Sequence, residues 1–111
     1  MAEHTIQPAS RIREGQVLCF EIAGRRLAVG RTARGYFALD DRCPHAGGSL
    51  GEGQIDGENV LCPIHGYAYD SITGEGLDDG AEVQVHPCRL DGDVLRIRLG
   101  SDTEDTEDTE E

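Results

Sequence analysis

Two short stretches carry side chains able to bind a metal: Cys43-Pro44-His45 within "DRCPHAGGSL" and Cys62-Pro63-Ile64-His65 within "LCPIHGYAYD", with sixteen residues between His45 and Cys62. Thiolate and imidazole are ligands for soft and borderline metals. Each Cys–His pair sits among glycines next to a proline, where a backbone can approach a bound centre closely. Two cysteines and two histidines are also a zinc set, but structural zinc sites commonly keep cysteines together and histidines together, with two or more residues inside each pair. Here both pairs are mixed, the first has one intervening residue, and no helix is visible. Mixed pairs suit a two-iron centre in which each loop gives a thiolate to one iron and an imidazole to the other. A zinc-stabilised binding module with no redox role is the alternative.

The pattern Cys-x-His, sixteen residues, Cys-x-x-His resembles the Rieske [2Fe–2S] family. Chain length, short strand-like runs and Gly-rich loops are similar to the small bacterial Rieske-type ferredoxins of ring-hydroxylating oxygenase systems, and the resemblance spans residues 5–99. It implies an all-β fold, a Rieske-type antiparallel β-sandwich with a cluster-binding subdomain of two Gly/Pro-rich loops. It also implies one [2Fe–2S] cluster, with Cys43 and Cys62 on the inner iron and His45 and His65 on the outer, the second ring nitrogens toward solvent. Exposed histidine ligands imply proton-coupled reduction at alkaline pH. Replacing two anionic thiolates by neutral imidazoles makes a cluster easier to reduce, roughly −150 to +300 mV against about −400 mV for plant-type clusters.

The same resemblance assigns meaning to the neighbouring positions. High-potential relatives tie the two loops with a disulfide at the places held here by Gly48 and Ile64, so that bond is absent. They also carry a serine that donates to a bridging sulfide where this chain has Tyr67, and a tyrosine that donates to a cysteine sulfur where it has Tyr69. Hydrogen bonds to cluster sulfurs raise the potential, so the expectation is a midpoint in the lower part of the Rieske range. A third loop, which carries a covering proline in many relatives, reads "GLDDGAE" with Gly80 near that place.

What the resemblance implies about function is a soluble one-electron carrier, passing electrons from a flavin-dependent reductase to a terminal oxygenase. The loop tips, including Ala46, Gly47, Gly66 and Tyr67, would form a small, weakly bound docking face. The chain is expected to be an electron-transfer component and not an enzyme, because it has neither the length nor the spare histidines for a mononuclear iron site. The small Rieske-like subunit of an assimilatory nitrite reductase is the alternative role.

Strand-like runs between turn signals supply the elements that must hold these loops. "QVLCFEI" and "RRLAVGR" flank "AG" as a hairpin, and "GYFALD" leads to Cys43. "GQID" and "NVLC" flank "GE" as a second hairpin that returns the chain to Cys62. "AYDSITGEG" reads as a strand entering a turn, "AEVQVHP" as a strand, and "CRLDGDVLRIRL" as a closing hairpin around Asp91-Gly92. No helix of three turns is expected.

At 111 residues the chain is long enough for one domain, expected over residues 1–100. The tail 101–111 repeats Asp-Thr-Glu, has no aliphatic or aromatic residue, and is expected to be disordered. It holds seven of the 22 acids and no base, which leaves residues 1–100 with 15 acids against ten arginines. No basic cluster with interleaved aromatics points to nucleic acid. No basic-then-apolar leader and no run of about 20 apolar residues points to export or a membrane, so a cytoplasmic location is expected. Cys19, Cys88 and His86 read as core or strand residues, and His4 as part of a mobile N-terminus.

Overall fold

The described residues form nine strands in sequence order: β1 (Glu3–Ile6), β2 (Gln16–Ile22), β3 (Arg25–Thr32), β4 (Gly35–Asp40), β5 (Gln54–Asp56), β6 (Asn59–Leu61), β7 (Ala68–Asp70), β8 (Cys88–Asp91) and β9 (Val94–Arg98). This is a computed structural model, and it describes residues 3–43, 48–64, 66–77 and 81–99. The strands form three antiparallel sheets, ordered β1-β9-β8, β2-β3-β4 and β5-β6-β7. Two single-turn 3-10 segments, Ala9–Arg11 and Leu50–Glu52, are the helical pieces among the described residues.

Sheet β2-β3-β4 is the middle layer. One of its faces, with Ala28, Phe37 and Leu39, joins Leu50, Val60 and Tyr69 in one core. The other face, with Leu27, Val29 and Ala38, packs on Ile6, Leu95 and Ile97 of the outer sheet β1-β9-β8. Covering both faces explains why Leu27, Ala28, Val29 and Gly30 are buried in succession, where a one-sided strand would alternate. Gly30 lies opposite Phe37, and a Cβ there would come within 2.5 Å of the Phe37 ring. The glycine leaves the room that the Phe37 ring occupies in the core.

The all-β antiparallel sandwich expected from the sequence is present, and the three predicted hairpins form. The last turns at Gly92-Asp93, one residue later than expected, because Asp91 pairs with Val94. Two expectations need correction. His4 does not lie in a loose N-terminus: it sits in β1 opposite Ile97, and its Nε2 is buried without a partner among the described residues. Nor is "AEVQVHP" a strand. It changes partners along its length, Val83 donating to Gly74 while Gln84 and His86 bond to Asp40 and Ala38 of β4.

His86 anchors that segment. Its side chain is fully buried, and Nε2 lies 2.8 Å from Asp40 Oδ1, which also receives Arg25 Nη2 at 3.2 Å. Burial pushes the Asp40 carboxyl up, but the His86 and Arg25 interactions outweigh it and hold the group below its ordinary value. A depressed carboxyl stabilises the fold above its unfolded pKa and loses that contribution as pH falls through the folded value. The difference in urea midpoint between wild type and Asp40→Asn is therefore expected to shrink below about pH 4. A difference that stays constant from neutral to acid pH would contradict this.

Candidate metal centre

The small sheet β5-β6-β7 exists to deliver one loop. Cys62 follows β6 directly, its N–H donates to Tyr67 O at 2.8 Å, and its own carbonyl accepts from Gly66 N at 2.8 Å. Cys62 is thus tied by its backbone to both Gly66 and Tyr67 before β7 begins. The other loop starts where β4 ends, and its neck is closed by Cys43 N donating to Gly48 O at 2.9 Å and by the bridge between Arg42 and Ser49.

Both cysteines point inward, Cys43 0% and Cys62 1% exposed, in the same core as Leu39, Leu50 and Val60. No disulfide joins any of the four cysteines. The two necks meet at Gly48: a Cβ there would lie 2.8 Å from Ile64 Cδ1 and 3.3 Å from Cys62 Sγ. A side chain at position 48 would have to displace the exposed Ile64 side chain and press on Cys62 Sγ, so glycine lets the two necks pack closely. The contact also puts Gly48 and Ile64 face to face.

Tyr69, in the middle of β7 opposite Val60, is 1% exposed, and its hydroxyl lies 3.3 Å from Cys43 Sγ. A buried phenol requires a polar partner, and this sulfur provides one. Tyr67 is half-buried against the same core, so its ring packs while its carbonyl holds Cys62. His45 and His65 lie outside the described residues, as do Ala46, Gly47, Gly80 and the tail 101–111. Among the described residues no group of three or more His, Cys, Asp or Glu could hold a metal. The donors on view are the two cysteine sulfurs. Two buried sulfurs at adjoining loop necks, one facing a hydroxyl, fit a thiolate-bound group, because buried negative charge needs a metal or hydrogen bonds to offset it.

The remaining cysteines and histidines are placed elsewhere. Cys88 opens β8, where burial pushes its thiol up to about 11. Cys19 lies in β2 with Arg26 Nη2 at 3.2 Å. His86 is committed to Asp40 and His4 to β1. Asp41, which the sequence did not single out, is buried beside the first loop, and its carboxylate accepts bonds from Ser49 and Gly51. Asp one residue before Arg-Cys is too common a choice of residue to have marked it.

Among the described residues no helix is long and apolar enough to cross a membrane. The ferredoxin component of the naphthalene 1,2-dioxygenase system of Pseudomonas putida is 32% identical over 92 residues, covering 81% of this chain and 86% of its own. A chain in the complex of reduced oxygenase and oxidized ferredoxin of carbazole 1,9a-dioxygenase superposes with a TM-score of 0.79 at 26% identity, covering 86% of this chain and 92% of that one. A protein assigned as the small subunit of an NADH-dependent nitrite reductase from Mycobacterium tuberculosis reaches 0.81 at 21% identity, covering 90% and 97%, which shows a shared fold. The family model of the Rieske [2Fe-2S] domain matches residues 2–89, a span that includes both Cys–His loops and Tyr69. The chain belongs to the Rieske [2Fe–2S] family, whose cofactor is a Rieske-type [2Fe–2S] cluster and not zinc.

Proposed function

We propose that the protein is a soluble, cytoplasmic Rieske-type ferredoxin that takes single electrons from a flavin-dependent reductase and passes them to a terminal oxygenase. The observation that carries this reading is the mutual coverage with the Pseudomonas putida ferredoxin component, 81% of one chain and 86% of the other. The likeness to a chain crystallised in a ferredoxin–oxygenase complex supports the oxygenase as partner. The nitrite reductase small subunit shares the fold at 21% identity, which carries no weight for that role.

The cluster, when bound, supplies reversible one-electron transfer at a potential set by its ligands and surroundings. In this reading Cys43 and Cys62 hold it as thiolates and His45 and His65 as imidazoles. Tyr69 donates its O–H to Cys43 Sγ, Gly48 lets the two loops close, and Ile64 and Tyr67 flank the second. Gly48 and Ile64 face each other with no cysteine in either place, so the loops are held by packing and backbone bonds. Residues 1–100 form the functional domain, with the acidic segment 101–111 outside it. Docking at the loop tips would be small and transient, as rapid exchange between two partners requires.

The test is reconstitution. Mixed with the reductase and oxygenase of a naphthalene-type system, the protein is expected to support NADH-dependent substrate hydroxylation that stops when it is left out. Failure to accept electrons from flavin reductases, together with copurification with a sirohaem-containing subunit, would favour the nitrite reductase role instead.

A further inference from the structure

The first loop is closed by more than its own backbone. Asp41 lies two residues before Cys43 and is 4% exposed. Its Oδ1 accepts from Ser49 Oγ at 2.9 Å and from Gly51 N at 2.7 Å, and its backbone carbonyl accepts from Leu50 N at 2.7 Å. One residue therefore gathers three successive residues from the far side of the loop. Its other oxygen, Oδ2, faces Arg26 Nε of β3 at 3.5 Å, and Arg26 Nη2 reaches back to Cys19 of β2. Gly51 lies directly on β2, where an added Cβ would fall 2.6 Å from Cys19 Cα. The loop's far side is thus seated on the middle sheet at Gly51 and tied to its near side at Asp41.

A buried carboxylate costs several kcal/mol of desolvation unless its lone pairs are satisfied. An apolar residue would serve a merely space-filling role better. The position of the tie argues for a different purpose. Between Asp41 and its partners run only residues 42–48, which include Cys43 and end with Gly48, the residue whose added Cβ would meet Ile64 and Cys62 Sγ. Cys43 Sγ also lies 3.3 Å from Tyr69 Oη, which reaches it from outside this loop. Any slack at the neck would be felt at that sulfur.

We propose that Asp41 is a positioning residue for the cluster: its carboxylate locks the neck of the first loop and so fixes Cys43 Sγ where the second loop and Tyr69 can meet it. Arg26 acts through Asp41 by steadying Oδ2. This rests on the reading of Cys43 as a ligand. Residues that orient metal ligands typically change metal retention by about 10–100-fold when removed.

The experiment follows cluster loss from the full-length, cluster-loaded protein with an iron chelator present, by visible absorbance, well below the melting temperature. Asp41→Ala is expected to lose its cluster about tenfold faster or more, with a broadened electron paramagnetic resonance signal after reduction. Asp41→Asn keeps an oxygen that can accept from both Ser49 and Gly51, and is expected to restore most of the lifetime. Ser49→Ala, which removes one donor and leaves the rest, is expected to shift loss in the same direction by less, and it serves if the alanine variant at 41 does not fold. Ile97→Val, a core change in the outer sheet, controls for stability alone.

Loss from Asp41→Ala and Ser49→Ala at the wild-type rate overturns the proposal. So does an equal acceleration in Ile97→Val at a matched melting temperature, since that would make the effect one of global stability. If the wild-type protein itself held no iron, the ligand reading would fail before the positioning role was reached.

Discussion

Cys62→Ser is expected to yield a folded protein that is colourless and retains less than about a tenth of the wild-type iron. Serine is nearly isosteric with cysteine, and Cys62 sits 1% exposed among Val60, Leu50 and Tyr69, so the fold tolerates the change. The chemistry does not. A thiol is readily deprotonated at a metal, whereas an alcohol holds its proton far more tightly and gives a harder donor. Cys43→Ser should behave alike. Cys19→Ser and Cys88→Ser, altering sulfurs in β2 and β8, are expected to keep the wild-type colour. Iron analysis alongside circular dichroism checks all four, and a Cys62→Ser protein with its full iron content would remove this residue from the ligand set.

Tyr69→Phe is expected to lower the midpoint potential without loss of the cluster. The hydroxyl lies 3.3 Å from Cys43 Sγ, and a donor to a ligand sulfur stabilises the reduced, more negative state more than the oxidised one. A hydrogen bond worth ~0.5–1.5 kcal/mol converts to about 20–60 mV for one electron. The ring of phenylalanine fills the same buried place, so stability should change little. Protein-film voltammetry of both proteins decides it. The wild-type midpoint belongs in the lower part of the Rieske range, below about +100 mV, because no loop disulfide is possible at Gly48 and Ile64. An unchanged potential in the variant would show that Tyr69 is a core aromatic and not a donor.

Local patterning made the hairpins legible. Turn residues such as Gly24 and Gly57, both at positive φ, bracket runs whose β-branched and aromatic residues have an obvious sheet face. The doubled Cys–His pairs announced the site because four metal-binding side chains at such spacing are rare by chance. What stayed hidden depends on partners remote in the chain. The run Glu3–Ile6 is short and largely polar, and it becomes a strand because β9, far along the chain, offers it an edge. Residues 81–87 alternate like a strand, but pair first with the Gly74 turn and then with β4, which no local pattern encodes.

Asp41 shows the same limit within the site. Its type is ordinary and its neighbours "DDR" read as a polar loop. Its role emerges only when Ser49, Gly51 and Arg26, from the far side of the loop and from another strand, converge on one carboxylate. Likewise "GGS" signals a flexible loop, whereas Gly48 lies where an added Cβ would crowd Ile64 and Cys62 Sγ.

The most direct test of a cluster held by two cysteines and two histidines is electron paramagnetic resonance of the reduced protein, prepared with ordinary and with nitrogen-15-labelled histidine. A rhombic signal whose nitrogen couplings change with the label, from a red-brown protein with two irons per chain, is the expected result. A colourless protein with stoichiometric zinc, or an iron signal indifferent to histidine labelling, would contradict it.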